Sequence, residues 1–229
     1  MIGIIGAMPV EIEALVGQMT ERREEKLGTD TFVSGRLFGR EAVLAVCGCG
    51  KVNAALCAQQ MILRYQPEWV LNIGVAGGSD PRLRIGDMVI ATAAVQHDMD
   101  TTPMGDPIGY VSKIGLVEFP CDPALRERLR RAAERLDGVK VFEGVIATGD
   151  QFVNKPAVTA WIRETFGAMA VEMEGAAVAH ACYTHGVPCG ILRSISDGAN
   201  DDSGMDFAAF TALASAHAQR VVERVLRAE

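Results

Sequence analysis

Apolar residues follow two patterns that alternate along most of this chain, short continuous runs and helical spacings. The runs at 2–7, 69–78 and 86–97 do not alternate with polar residues, which is typical of strands covered on both faces. Residues 9–19 and 50–65 instead place apolar side chains at the spacing of a helix that buries one face. Strands that alternate with helices predict an α/β domain with helices on both sides of its sheet.

The rest of the chain continues this alternation. Segments 30–38 and 41–47 meet at Gly39 and Arg40 and predict a β-hairpin. Further strands are predicted at 139–150 and 187–197, and further helices at 123–136, 155–166, 173–186 and about 206–226. Residues 98–121 lack periodicity and contain several prolines and glycines, so we expect a long irregular loop. The expected architecture is one domain over 1–229, a three-layer α/β/α sandwich with a mixed, mainly parallel central sheet.

Composition narrows the range of partners. The chain has 229 residues, of which 49% are hydrophobic, and its 22 basic and 29 acidic residues give a net charge of −7. A nucleic-acid-binding protein would normally present a basic face, so we expect no nucleic-acid partner. No apolar run is long enough to span a bilayer, and the start of the chain lacks a basic segment typical of a signal peptide. We therefore expect no membrane partner, and the six cysteines, which lie mostly in apolar segments, favour a cytoplasmic, reducing compartment.

Cysteine and histidine do not form a recognisable metal motif. The six cysteines lie mostly in apolar segments, where cysteine packs as a small hydrophobic residue. There is no CxxC pair, and the four histidines form no HExxH pattern, so we expect no metal site. Cys47 and Cys49 in the turn CGCG leave a reactive thiol as a minor alternative to packing in a tight loop.

Two glycine-rich turns follow predicted strands. The segment GCGKVNAA at 48–55 fails the P-loop pattern, because Val52 stands where a Ser or Thr should follow Lys51. Its glycines are explained by a tight strand-to-helix turn. The segment NIGVAGG at 72–78 ends in Gly77 and Gly78, which allow backbone N–H groups to approach a ligand closely. A structural turn remains the alternative there.

Two carboxylates occur near one end of the predicted sheet. Asp197 ends an apolar strand abruptly, at the carboxyl edge where open α/β sheets bind ligands. Glu174 begins a small-residue helix just before that strand. A carboxyl group in such a position can serve as a general acid.

Motifs along nearly the whole chain resemble one family. They are GIIGAMPVEIEAL, GCGKVNAA, NIGVAGG, IGDMVIA, HDMD, TGDQF, VEMEGAAVAH and RSISDGAN, in that order. This order is similar to that of the 5′-methylthioadenosine/S-adenosylhomocysteine nucleosidases of the nucleoside phosphorylase superfamily. The combination of GAMPVE, VEMEGAA and SISD is specific for the nucleosidase branch.

The resemblance implies hydrolysis of the N-glycosidic bond between adenine and a 5′-thio-substituted ribose, without a cofactor. Adenine is a poor leaving group unless its N7 is protonated, and the ribose acquires oxocarbenium character before water attacks. By resemblance, Asp197 is the general acid toward N7, Glu11 activates the water, and Glu174 accepts hydrogen bonds from the ribose hydroxyls.

Each of these carboxylates has a plainer interpretation. Asp197 could cap the turn that follows it, and a Glu in a helix's first turn usually complements the helix dipole. Glu13 suits that dipole role better than Glu11. Glu172 is the alternative to Glu174, and we expect it to be structural or solvent-facing.

The resemblance also assigns contacts to a small nucleoside substrate. Phe152 would stack on adenine, and Val153 would offer its backbone to the purine edge. Met173 would pack against the ribose, near Met8, and Gly77 would contribute backbone. Ordinary core packing is the alternative for Phe152.

Two further assignments concern the ribose and its 5′ end. Arg193 would lie near the ribose and the water, and its alternative role is an ion pair with Glu11 or Glu174. Phe207 would close over the 5′ substituent. The resemblance also implies a homodimer.

The chain departs from the family at three places. Val75 stands where the family commonly has serine, which in phosphorylases holds phosphate, so we expect water to be the nucleophile. Pro103, Met104 and Pro107 replace an aromatic-rich stretch of the 5′ pocket, and Cys49 replaces a branched aliphatic residue. Alternatives are therefore a related purine nucleoside hydrolase or phosphorylase, for example one acting on aminodeoxyfutalosine, and a nucleoside-binding protein without activity.

Overall fold

The structure is a computed structural model that describes residues 1–197 and 207–227. In this part of the chain, helices and strands alternate as predicted. The strands are β1 (Ile2–Gly6), β2 (Thr20–Leu27), β3 (Asp30–Leu37), β4 (Arg40–Val46), β5 (Val70–Gly78), β6 (Met88–Gln96), β7 (Glu118–Pro120), β8 (Val141–Thr148), β9 (Ala168–Glu172) and β10 (Cys189–Asp197). The helices are α1 (Pro9–Gln18), α2 (Lys51–Tyr65), α3 (Pro123–Ala133), α4 (Pro156–Phe166), α5 (Gly175–His185) and α6 (Phe207–Arg227).

Local sequence signals explain several helix boundaries. Proline occupies the first turn of α1, α3 and α4, where its fixed φ is compatible with a helix and its missing N–H costs nothing. The side chain of Asp122 accepts a hydrogen bond of 2.8 Å from the Leu125 N–H and caps α3. Gly186 ends α5 in the left-handed region with φ 65°, as predicted.

Four elements were not predicted. The strand β2 is charged and exposed along most of its length, and it forms by antiparallel pairing with β3. The strand β9 has only five residues and runs into the turn before α5. The segment predicted as an irregular loop contains β7 and a 3-10 turn over Thr102–Met104.

The mixed sheet has helices on both faces, which confirms the expected α/β architecture. On one face, α2 packs against α5, and on the other face α1 and α3 pack against α6. Separate clusters of buried apolar side chains lie under these two helix layers. Each strand between them is therefore covered on both sides, which accounts for the continuous apolar runs of β1, β5 and β6.

Part of the sheet closes on itself. The strand β10 pairs in parallel with β5 and antiparallel with β6. The strand β6 pairs with β8, β8 pairs with β9, and β9 returns to β5 through Gly77 and Gly78. These five strands form a small closed ring, which the expected sandwich did not include. Strands β1, β5 and β10 run parallel, so their carboxyl ends meet at one edge.

Candidate active site

A cavity of about 210 Å³ lies at the edge where the carboxyl ends of β1, β5 and β10 meet. Its walls bring together residues from distant parts of the chain. The predicted site residues that line it are Met8, Glu11, Gly77, Phe152, Val153, Met173, Glu174 and Asp197. This convergence follows from the parallel strand order, which carries the loops after several strands to the same edge.

Glu11 lies in the first turn of α1, and its carboxylate turns back toward the end of β1. One oxygen, Oε2, accepts hydrogen bonds from the N–H groups of Ala7 and Met8 at 2.6 and 2.9 Å. The other oxygen, Oε1, accepts from the Val75 N–H at 3.0 Å. Burial raises the pKa of Glu11 above its ordinary value, although Arg193 and these N–H groups oppose the rise. Glu11 is thus a buried carboxylate fixed by three backbone N–H groups, and not an exposed side chain that only complements the helix dipole.

Glycine at position 74 leaves the space that Glu11 occupies. A Cβ built on Gly74 would lie 2.5 Å from Glu11 Oε1, which is far inside van der Waals contact. Any side chain at this position of β5 would therefore displace the carboxylate.

Glu174 caps the amino end of α5 and faces the cavity. Its Oε1 accepts a hydrogen bond of 2.9 Å from the Gly50 N–H, which belongs to the turn before α2. Burial and the neighbouring negative charge of Glu172 raise the pKa of Glu174 to about 7, against the influence of Arg193. Near neutral pH this carboxyl group is therefore present in both its protonated and its ionised form.

Asp197 is the last residue of β10 and lies opposite Gly77 of β5. Its Oδ1 accepts a hydrogen bond of 2.8 Å from the Ser196 hydroxyl. A Cβ on Gly77 would lie 3.1 Å from Asp197 Oδ2, so the glycine permits the carboxylate to lie against the strand. The turn that Asp197 could cap, at 198–200, lies outside the described residues.

Arg193 does not pair with Glu11 or Glu174, so that expectation is wrong. Its guanidinium is fully buried and donates to Glu172 and to the side chain and carbonyl of Asn72. It lies behind the cavity rather than among the residues that line it. A buried guanidinium needs a charged partner within reach, and Glu172 at the end of β9 provides it.

Glu172 is structural, as expected, but it is buried rather than solvent-facing. Besides the Arg193 pair, it accepts hydrogen bonds from the Thr148 hydroxyl and from the N–H groups of Glu174 and Gly175, the latter two at 3.0 and 2.7 Å. It thereby holds the turn that presents Glu174 to the cavity. Thr148, whose hydroxyl donates to Glu172, was not identified from the sequence. The only signal that could have indicated this role is its position at the end of β8.

Phe152 and Val153 form one wall of the cavity. The ring of Phe152 is 63% exposed, so the core interpretation of this residue is wrong. Val153 is half-buried and packs against a small apolar cluster. An aromatic ring at a cavity wall can stack on a planar ligand. The side chain of Phe207 lies outside the described part of the structure.

Comparisons with known proteins agree with this geometry. The family model of the phosphorylase superfamily matches residues 1–227. The chain is 42% identical to the 5′-methylthioadenosine/S-adenosylhomocysteine nucleosidase of Geobacillus thermodenitrificans over 224 residues, covering 97% of this chain and 94% of the relative. The chain belongs to the phosphorylase superfamily and, within it, to this nucleosidase family.

Solved structures of the nucleosidase family have the same fold. The nucleosidase of Neisseria meningitidis in complex with methylthio-immucillin-A superposes with a TM-score of 0.94 at 36% identity, covering 100% of this chain and 99% of that one. The futalosine hydrolase of Helicobacter pylori superposes with a TM-score of 0.93 at 34% identity, covering 100% of this chain and 97% of that one. The expected family and fold are confirmed.

The thiols near the site are not poised for reaction. Burial raises the pKa of Cys47 and, together with Glu174 and Glu11, that of Cys49, so both thiols stay protonated at neutral pH. In the described part of the chain, His, Cys, Asp and Glu form no group of three or more able to hold a metal ion. The same part contains no helix that is long and apolar enough to cross a membrane.

Proposed function

We propose that this chain hydrolyses the N-glycosidic bond of 5′-methylthioadenosine and S-adenosylhomocysteine, releasing adenine and the 5′-substituted ribose. The observation that carries the proposal is the convergence of Glu11, Glu174 and Asp197 on one small cavity beside an exposed aromatic ring. The similarity to nucleosidases over almost the full chain supports the same reaction and substrates.

Asp197 acts as the general acid in this proposal. It lines the cavity opposite Gly77, and the Ser196 hydroxyl donates a hydrogen bond to one of its oxygens. With the purine stacked on Phe152, its other oxygen would deliver a proton to N7. Protonation withdraws electrons from the breaking bond and lets adenine leave as a neutral base.

Glu11 acts on the water. Three backbone N–H groups fix its carboxylate, and burial gives it a raised pKa, which suits a group that accepts a proton from water. The ribose would lie between this carboxylate and the purine wall. Water held by Glu11 would then attack the anomeric carbon on the face opposite the departing adenine.

Glu174 binds the ribose. A carboxylate can accept from two adjacent hydroxyl groups, and among the described residues only the Gly50 N–H donates to Glu174, through one of its two oxygens. Hydrogen bonds from the 2′- and 3′-hydroxyls strengthen as positive charge develops on the sugar. Met8 and Met173 supply apolar walls around the ribose.

Water is a better nucleophile than phosphate for this cavity. Four carboxylates, including Glu172, line its described walls, and none of the lining residues described is Lys, Arg or His. Val75 provides no hydroxyl where phosphorylases use serine. A phosphate dianion would therefore meet these carboxylates with no cationic side chain at the described cavity wall to bind it.

The 5′ substituent is the least constrained feature of the substrate. The similarity to a futalosine hydrolase and the proline-containing segment 98–121 favour a second candidate, hydrolysis of aminodeoxyfutalosine by the same residues. The homodimer expected from the family resemblance and the cytoplasmic location expected from the sequence are further parts of this proposal.

Chromatographic measurement of free adenine tests the function. The purified chain is incubated with 5′-methylthioadenosine, S-adenosylhomocysteine, 5′-deoxyadenosine and aminodeoxyfutalosine, each with and without phosphate. We expect adenine from the first two substrates in phosphate-free buffer. A strict phosphate requirement would overturn the water mechanism, and tight binding without adenine release from any substrate would show a binding protein instead.

A further inference from the structure

Three motifs of the sequence are not explained by the proposed chemistry: GKV at 50–52, HDMD at 97–100 and TGD at 148–150. The fold brings one charged residue from each motif to a single place. Lys51 Nζ lies 2.6 Å from Asp98 Oδ1 and 3.3 Å from the side-chain carbonyl of Gln96. The side chains of Lys51 and Asp98 are only 17% and 16% exposed, so this ion pair is shielded from water.

Asp150 closes the contact into a ring. Its Oδ1 accepts a hydrogen bond of 2.7 Å from the Lys51 backbone N–H, and its own N–H donates to Asp98 Oδ2 at 2.9 Å. Asp98 thus uses both carboxylate oxygens, one for the Lys51 side chain and one for the Asp150 backbone. We call these three residues the clasp.

The clasp also completes the amino end of α2. Gly50, at the cap position, has no side chain to accept a hydrogen bond from the helix. Asp150 accepts from the first helical N–H instead, and its negative charge lies at the positive end of the helix dipole. Gly50 is required at this point, because its φ is 97° and a Cβ would lie 3.0 Å from Asp150 Oδ1.

Residues that adjoin Lys51 and Asp150 in the sequence line the cavity or hold its wall. Gly50, next to Lys51, donates the hydrogen bond that holds Glu174. Asp150 is followed by Gln151, Phe152 and Val153, which line the cavity. Lys51 and Asp150 themselves face a separate surface cleft and do not line the cavity. The clasp therefore joins the segment that holds the ribose acceptor to the segment that carries the purine wall.

We propose that Lys51, Asp98 and Asp150 are positioning residues that keep Phe152 and Glu174 at the spacing required by one nucleoside. The inference rests on the proposed function, since it states what the two segments position. Without the clasp, the segment 149–153 and the turn before α2 move independently, and the purine and the ribose are no longer aligned together. Misplacement of about 1 Å in such a site lowers the rate by on the order of 100-fold.

The charges within the clasp favour this arrangement at neutral pH. Burial raises the pKa of Asp98, but the Lys51 ammonium and the Asp150 N–H outweigh that effect and lower the pKa below its ordinary value. Asp98 is therefore ionised throughout the neutral range, and removal of the Lys51 charge leaves it shielded and unpaired.

The test compares Lys51→Met with Lys51→Arg and with Asp98→Asn. Lys140→Met is the matched control, because Lys140 is exposed and does not contact the clasp. We expect Lys51→Met to lower kcat/KM for adenine release about 10- to 100-fold, and Lys51→Arg to recover part of that loss because it keeps the charge. Lys140→Met is expected to stay within twofold of the unchanged chain.

Hydrogen exchange distinguishes positioning from general destabilisation. In Lys51→Met and Asp98→Asn, we expect the amides of Gly50 and of 149–153 to exchange faster while amides of β1 and β10 keep their protection. Unchanged kcat/KM and unchanged exchange in both variants would overturn the proposal, as would a uniform rise in exchange across the sheet. If the unchanged chain releases no adenine, the proposed function fails, and the exchange measurement still decides whether the clasp orders these segments.

Discussion

Replacing Glu174 with glutamine tests the electrostatics of the site most fully. Glu174 has a pKa of about 7, raised by burial and by Glu172. It accepts ribose hydroxyl hydrogen bonds well only when ionised, because the protonated acid offers a weaker acceptor. Nucleoside affinity in the unchanged chain should therefore fall as the pH is lowered through 7.

The pKa sets the size of this effect. The ionised fraction of a group with a pKa of about 7 falls from roughly 90% at pH 8 to roughly 10% at pH 6. Since apparent affinity scales with the fraction in the competent state, we expect binding about tenfold weaker at pH 6 than at pH 8. Glu174→Gln cannot ionise at this position and should show weak binding with a flatter pH profile.

The assay is calorimetric titration with a C-nucleoside analogue of 5′-methylthioadenosine, which has no N-glycosidic bond to cleave. Titrations at half-unit steps from pH 5.5 to 8.5 give the profile for both proteins. Equal affinity at pH 6 and pH 8 in the unchanged chain would refute the reasoning, and so would the same pH dependence in Glu174→Gln.

The same group affects stability with the opposite sign. Because its folded-state pKa lies above the ordinary value of 4.5, the folded protein binds this proton more tightly than the unfolded chain. Its contribution to the free energy of unfolding is fully present below pH 4.5 and is lost as the pH rises through 7, to a total on the order of 3 kcal/mol. Urea denaturation at pH 5 and pH 8 should show this difference in the unchanged chain and not in Glu174→Gln.

Three further substitutions follow from the packing of the site. Gly74→Ala places a Cβ 2.5 Å from Glu11 Oε1 and should lower kcat/KM about 100-fold. The control is Gly17→Ala, which has open space around it and should keep activity while raising the free energy of unfolding by about 0.5–1 kcal/mol. Full activity in Gly74→Ala would contradict the placement of the Glu11 carboxylate. Arg193→Met leaves a buried carboxylate unpaired and should cost about 3–5 kcal/mol in urea denaturation, and a cost below 1 kcal/mol would count against the buried pair. Phe152→Ala should raise KM about tenfold with little change in melting temperature, because the ring is 63% exposed and base stacking is worth about 1–3 kcal/mol; an unchanged KM would remove it from the purine wall.

Continuous apolar runs were sufficient to place the central strands. Because β1, β5 and β10 are covered on both faces, nearly all of their residues are buried and their sequences are mostly apolar. The charged strand β2 has no such signal. It forms through backbone pairing with β3, and its exposed edge position tolerates the charges.

The sequence pattern could not predict which carboxylate pairs with Arg193. Glu172 and Glu174 are two residues apart, so strand alternation alone would put both on one side. The helix that begins at Gly175 turns the backbone at Glu174 and separates their directions. Glu172 then faces the buried guanidinium and Glu174 faces the cavity, which only the three-dimensional arrangement reveals.

The clasp also depends on contacts that spacing does not show. Lys51 and Asp98 are separated by 47 residues, and Lys51 and Asp150 by 99. The failed P-loop pattern left Lys51 without a role. Its contribution becomes visible only once α2 and the ends of β6 and β8 are placed side by side.

Asp197→Asn tests the central claim most directly. The amide keeps the size of the side chain but cannot give a proton to adenine, so substrate can bind without bond cleavage. Single-turnover adenine release and equilibrium binding of the C-nucleoside analogue are measured on the same protein preparation. The proposed mechanism predicts loss of adenine release by at least about 100-fold with analogue binding retained within about tenfold. Near-normal adenine release by Asp197→Asn would contradict the assignment of the acid and, with it, the proposed reaction path.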